Sequence, residues 1–241
     1  MEKSKSLPYV ILHMVTSVDG KVTGTYLSDK KSEAICEEYY RIHREYSSQG
    51  FICGRITMEG SFTHGYKPDL SRYNGKSPKR SDHVAEKADF YAISVDPRGV
   101  VGWKASRITD DDDGYNNAHI IEVLSDRASD EYVSYLEEIG VSYIFCGKER
   151  IDTKALCEKL YKLFGIKKIM LEGGGVTNTS FLENDLIDEI SLVVAPMIDC
   201  DGDSVNLFDT KTSTHQGVLR AFRLEVAEAL KENAIWLKYR K

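Results

Sequence analysis

Lys167-Lys168-Ile169-Met170-Leu171-Glu172-Gly173-Gly174-Gly175-Val176 is a short apolar run that ends in an acid and three consecutive glycines, ahead of a helix-like stretch. A run of this length and hydrophobicity reads as a buried strand. Three glycines after it leave only backbone N–H groups at the turn, so a ligand can approach closely. In the following segment Val176, Phe181 and Leu182 are spaced to pack one helix face on a sheet. Such a helix would aim unpaired N–H groups and its dipole at an anion resting on the glycines. A tight strand-to-helix turn without ligand is the alternative. The pattern is neither a Walker loop nor Gly-x-Gly-x-x-Gly, so it points to an anion without naming it.

Outward from this turn, apolar runs alternate with helical spacing. Residues 129–139 and 152–164 read as helices, and 141–146 and 167–172 as strands, which predicts crossover units and a parallel sheet. Upstream, 9–15 reads as a strand, 31–46 as a helix, 51–53 as a strand leading into a helix near Arg55, and 90–95 and 119–124 as strands. Residues 65–86 show neither period and read as a long surface loop, a kind of segment that often carries function. Toward the C-terminus, 187–196, 219–230 and 234–239 are strand-like with no helix between them, which predicts antiparallel strands at one sheet edge. The expected fold is thus α/β, with a mostly parallel central sheet flanked by helices and antiparallel C-terminal edge strands. No linker or repeat divides the chain, so one domain is expected over 1–241, with its core at about 8–240.

With 241 residues, 41% hydrophobic and 29% charged, the composition is that of a globular protein. A net charge of −6 lacks the basic footprint of a nucleic-acid binder. The odd-numbered, scattered cysteines argue against a disulfide framework or structural zinc, and Cys53 and Cys146 read as small buried hydrophobes. The six histidines form no ligand spacing, and Asp110 to Asp113 reads as a solvated turn, so no metal is assigned. A polar N-terminus and no spanning-length apolar run predict a cytoplasmic protein without membrane contact.

Four segments in register resemble a known family: Ser17-Val18-Asp19-Gly20-Lys21 after an opening strand, Gly54-Arg55-Ile56-Thr57, Glu172-Gly173-Gly174-Gly175, and Leu186-Ile187-Asp188-Glu189 with Ala195-Pro196. They look like the C-terminal reductase domain of the riboflavin-biosynthesis deaminase/reductase, whose fold is that of dihydrofolate reductase. The resemblance implies an NADPH-dependent reductase that delivers hydride to the sugar carbon of a ribosylaminopyrimidine phosphate. It also implies a homodimer, and the apolar strands 187–194 and 234–239 are candidates for its interface. Cofactor contacts are expected from Gly54, Arg55 and Thr57, from Ser125 and Arg127, from Gly147, and from Gly173, Gly174, Gly175 and Val176. Arg98 is a further candidate for an adenosine 2′-phosphate. Ser17, Lys21 and Arg72 are expected on the substrate side, with Asp19 and Glu172 as the catalytic acids. From Met58 to Gly65 the chain departs from the family's substrate-phosphate segment, and only Pro68-Asp69-Leu70-Ser71-Arg72 echoes its end. The alternatives are a dihydrofolate-reductase-like enzyme acting on a pteridine or another small molecule, and a non-catalytic NADP-binding relative.

Overall fold

The computed structural model describes residues 6–210 and 219–241. In chain order its elements are β1 (Tyr9–Thr16), α1 (Lys30–Glu45), β2 (Gly50–Gly54), α2 (Arg55–Met58), β3 (Tyr91–Val95), β4 (His119–Leu124), α3 (Asp130–Glu138), β5 (Ser142–Phe145), α4 (Thr153–Phe164), β6 (Lys168–Leu171), α5 (Gly175–Glu183), β7 (Glu189–Val194), β8 (Arg223–Ala229) and β9 (Ile235–Arg240). The strands form one sheet in the order β5-β4-β3-β2-β6-β1-β7-β9-β8. Packing divides the chain into two compact units, Gln49–Ile169 and Tyr9–Ser48 with Met170–Lys241.

In the first unit β2, β3, β4 and β5 pair in parallel, with Gly50 opposite Tyr91, Tyr91 opposite His119, and Ile121 opposite Ser142. Every residue of β4 is buried, as expected for a parallel strand covered on both faces. Helix α3 starts at Ser129, whose hydroxyl accepts from Tyr132 N, with Asp130 and Glu131 in the positive first turn. Helix α4 starts at Asp152, which accepts from Lys154 and Ala155, and stops at Gly165 in the left-handed region. The region after β2 is less regular than expected, because α2 lasts four residues and passes into a π-helical turn, Glu59–Thr63, that ends at left-handed His64.

The long loop is not a free surface segment throughout. His83 exchanges backbone hydrogen bonds with Tyr143 (2.8 and 3.0 Å), Ala85 N donates to Ser142 Oγ, and Asp82 accepts from Phe145 N. It therefore lies along β5 and satisfies backbone groups that an open strand edge would expose.

In the second unit β1 pairs in parallel with β7, Ile11 opposite Glu189, and β9 runs antiparallel to β7 and to β8. The antiparallel pairs confirm the expected change of character toward the C-terminus, and a bulge between Leu224 and Val226 bends β8. Ile35 and Ile42 of α1 pack with Tyr26, Val193, Ala195 and Ala234 in this unit's core. Cys53 and Cys146 are buried as small hydrophobes. No helix among the described residues is long and apolar enough to cross a membrane.

Candidate functional site

Parallel strands end side by side, and in the first unit the ends of β3, β4 and β5 are laced together. Ser125 N and Oγ both donate to Pro97 O (3.2 and 2.6 Å), Ser125 Oγ accepts from Arg127 N (3.2 Å), and Asp126 N donates to Gly147 O (3.0 Å). Gly147 is required here: its φ is +125° and a Cβ would lie 2.2 Å from Arg150 O. Ser125 Oγ thus donates its proton to Pro97 O while accepting from Arg127 N, and so bridges the backbone of the turn.

The structure distinguishes the arginines. Arg55 is paired with Glu59 at 2.5 Å, and Glu59 also pairs with Lys67. Arg72 does not join the strand ends. It pairs with Glu138 in the last turn of α3, near the start of β5, and stacks its guanidinium on Tyr73. Its guanidinium is therefore engaged by Glu138 and Tyr73 where a substrate contact was expected. Arg98 and Arg127 are exposed, and among the described residues neither has a carboxylate partner. Gly54 caps α2 with extended dihedrals, and Thr57 is half-buried on that helix.

In the second unit the end of β1 folds into a tight turn. Ser17 N donates to Lys21 O, Gly20 N to Ser17 O, and Lys21 N to Ser17 Oγ, all at 3.0 Å. Asp19 Oδ1 accepts from Ser17 Oγ (2.6 Å) and Asp199 N (3.2 Å), and its Oδ2 accepts from Cys200 N (3.1 Å). The Ser17 hydroxyl, helped by these two amides, holds the Asp19 carboxyl at a pKa of about 2. Asp19 is thus an ionised acceptor that latches the 199–200 segment.

The same segment continues to the glycine turn. Lys21 Nζ donates to Asn206 Oδ1 (3.0 Å), Leu207 N to Gly20 O (2.9 Å), Asn178 Nδ2 to Leu207 O (2.9 Å) and Asp209 N to Gly175 O (3.1 Å). A Cβ on Gly175 would stand 2.4 Å from Asn206 O, and one on Gly173 would meet the Thr177 side chain at 2.7 Å. A Cβ on Gly174 would meet nothing within 4 Å. None of the three has positive φ, so close packing, not dihedral freedom, explains Gly173 and Gly175, and Gly174 alone faces open space.

Helix α5 corrects the expected face. It buries Gly175, Asn178, Thr179 and Phe181, while Val176 points outward at 48% exposure and Leu182 is only half-buried. Glu172 is buried, and its Oε1 lies 2.6 Å from His43 Nδ1 of α1. Its carboxylate thus turns into its own unit, behind the glycine turn. Sequence reasoning missed His43 and the 199–209 segment, since nothing in their local pattern signals a partner so distant in sequence.

The RibD C-terminal domain family model matches residues 8–235. The chain belongs to the RibD C-terminal domain family. It is similar to a 2,5-diamino-6-ribosylamino-4(3H)-pyrimidinone 5′-phosphate reductase of Archaeoglobus fulgidus, 26% identical over 93% of this chain and 94% of the relative. A reductase of the same name from Aquifex aeolicus is 29% identical over 79% of this chain and 78% of the relative. In fold it is similar to a solved pyrimidine reductase-like protein from Corynebacterium diphtheriae, with a TM-score of 0.69 at 16% identity, covering 97% of this chain and 91% of that one. Membership in the RibD C-terminal domain family agrees with the resemblance read from residues 17–21, 54–57, 172–175 and 186–196.

Proposed function

We propose that this member of the family is a cytoplasmic, NADPH-dependent reductase that acts on a 2,5-diamino-6-ribosylamino-pyrimidinone 5′-phosphate. The family match over nearly the whole chain carries the reading. Relatives with this activity in their names align over most of their own length.

Each unit, taken by itself, carries one feature suited to part of a dinucleotide. At the turn before α5, Gly174 leaves space where backbone N–H groups can meet a pyrophosphate. After β4, Arg127 is held by its backbone with its guanidinium exposed, suited to bidentate contact with a 2′-phosphate. Bound NADPH would supply the hydride. Arrival of hydride at the sugar carbon leaves negative charge on the neighbouring heteroatom, which must gain a proton or a hydrogen bond.

Asp19 can orient substrate hydroxyls as an acceptor, but a carboxyl with a pKa of about 2 holds no proton to give at neutral pH. Its part is therefore alignment and not general acid catalysis. Glu172, paired with His43, holds the turn from behind. Lys21 and Ser17 complete the substrate-side set.

The test follows NADPH absorbance with the ribosylaminopyrimidine phosphate and, separately, dihydrofolate. Oxidation with the former alone supports the proposal, oxidation with dihydrofolate alone moves the enzyme to pteridines, and none with either leaves a binding protein. In Asp19→Asn, turnover should fall by about tenfold or more with NADPH affinity little changed. Wild-type turnover in that variant would remove Asp19 from the substrate side.

A further inference from the structure

Arg80 lies in the long loop, outside residues 17–21, 54–57, 172–175 and 186–196, yet its guanidinium reaches the turn after β4. Nη1 donates to Ala128 O at 2.9 Å and Nη2 to Asp126 O at 3.0 Å, while Nη1 is also 2.8 Å from Asp130 Oδ1. The planar group rests 5.0 Å from the centre of the Phe145 ring. One side chain thus holds the carbonyls on both sides of Arg127. The remaining groups of the turn are fixed locally: Asp126 N on Gly147 O, Arg127 N on Ser125 Oγ, and Ala128 N on Ser125 O. The Arg127 side chain is exposed and, among the described residues, has no carboxylate partner.

The arrangement has its own support. Arg80 enters three residues before the His83–Tyr143 bridge, and Asp82 is held by Phe145 N and by Lys159 Nζ at 2.9 Å. The loop is therefore anchored on β5 where it delivers the guanidinium. A flexible lysine, a point charge with no planar fork, could not hold two carbonyls in one plane and rest on a ring at the same time.

We propose that Arg80 is a positioning residue for cofactor selection: it sets the backbone on both sides of Arg127 so that the Arg127 guanidinium meets the 2′-phosphate of NADPH. This rests on the reading of Arg127 given above. A residue acting through Arg127 must affect NADPH and spare NADH, which has no 2′-phosphate. It must also lose its effect once Arg127 is gone.

Both points are read by titrating NADPH and NADH against the full chain and its Arg127→Ala, Arg80→Ala, Arg80→Lys and double Arg80→Ala/Arg127→Ala variants. In Arg127→Ala the NADPH dissociation constant should rise by about tenfold or more, roughly 1.4 kcal/mol per decade, with NADH unchanged. Arg80→Ala should give a smaller rise for NADPH alone, about threefold to tenfold, and Arg80→Lys a lesser one in the same direction. The double variant should bind NADPH no more weakly than Arg127→Ala. If Arg127→Ala leaves the NADPH preference intact, the cofactor reading of this turn falls and the role of Arg80 with it. If Arg127→Ala abolishes the preference and Arg80→Ala keeps it, only the Arg80 proposal is overturned. Equal weakening of both cofactors in Arg80→Ala, or additive losses in the double variant, also overturns it. Should Arg80→Ala fail to fold, Arg80→Lys decides alone: an unshifted NADPH preference sinks the proposal.

Discussion

Two acids show how environment assigns a carboxyl its task. Asp19 is solvent-exposed and receives a hydroxyl and two amide donors, so it stays ionised and the latch on residues 199–200 persists until pH falls through about 2. Glu122, at the centre of β4, is the opposite case. Burial, reinforced by the nearby Asp96 charge, pushes its carboxyl well above the usual range, although Trp103 Nε1 (2.7 Å) and Ser94 Oγ (3.2 Å) donate to it. Its neighbour Asp96 accepts from the Val100 and Val101 amides. For a carboxyl whose folded pKa is raised, the folded state binds the extra proton, so stability is fullest below the unfolded pKa of 4.5 and declines as pH rises toward the folded value. Glu122→Gln keeps an acceptor for Trp103 and removes the titration. Thermal melts from pH 5 to 8 should therefore show a flatter pH dependence than wild type and no loss of midpoint at pH 8. A midpoint that falls at pH 8 would mean that the ionised carboxylate is the stabilising form.

Among the elements, the turn from β6 into α5 separates glycines that look alike in sequence. Gly175 faces Asn206 O at 2.4 Å from its would-be Cβ, so Gly175→Ala must displace the backbone of residues 206–209 and should destabilise the fold by about 1–3 kcal/mol, read from a denaturant midpoint. Gly174 has space around it, so Gly174→Val should leave the midpoint within about 1 kcal/mol while raising the NADPH dissociation constant by about tenfold or more. Unchanged NADPH titration of folded Gly174→Val would take the pyrophosphate away from this turn. The polar buried face of α5, with Asn178 Nδ2 on Leu207 O, shows that this helix is positioned by the 205–209 segment as much as by hydrophobic packing.

For the molecule as a whole, the last strands carry the question of assembly. β8 is the outermost strand in the sheet order and is exposed along nearly its whole length, with Leu224 at 51%, and Ile235 at the start of β9 is exposed as well. An open edge with apolar side chains is a template for a second copy. We expect a homodimer through this region. Light scattering at micromolar concentration should give twice the chain mass of 27.2 kDa, and Leu224→Lys should return it to the monomer. A monomeric wild-type mass would end this reading.

The sequence by itself determined the alternation of strands and helices, the parallel sheet with antiparallel strands at its C-terminal edge, and the family. Each rests on local patterns: short apolar runs such as Ile169-Met170-Leu171 of β6, caps such as Ser129 and Asp152, and motifs a few residues long. Tertiary structure alone decided which glycine faces open space, that Arg72 is paired with Glu138, that Asp19 is an acceptor, and that Glu172 turns to His43. The physical reason is range. Helix and strand periodicity is set by neighbours within a few residues, whereas hydrogen bonding, burial and charge at a side chain are set by groups far along the chain. Asp19 meets Asp199 180 residues away, and Glu172 meets His43 across 129.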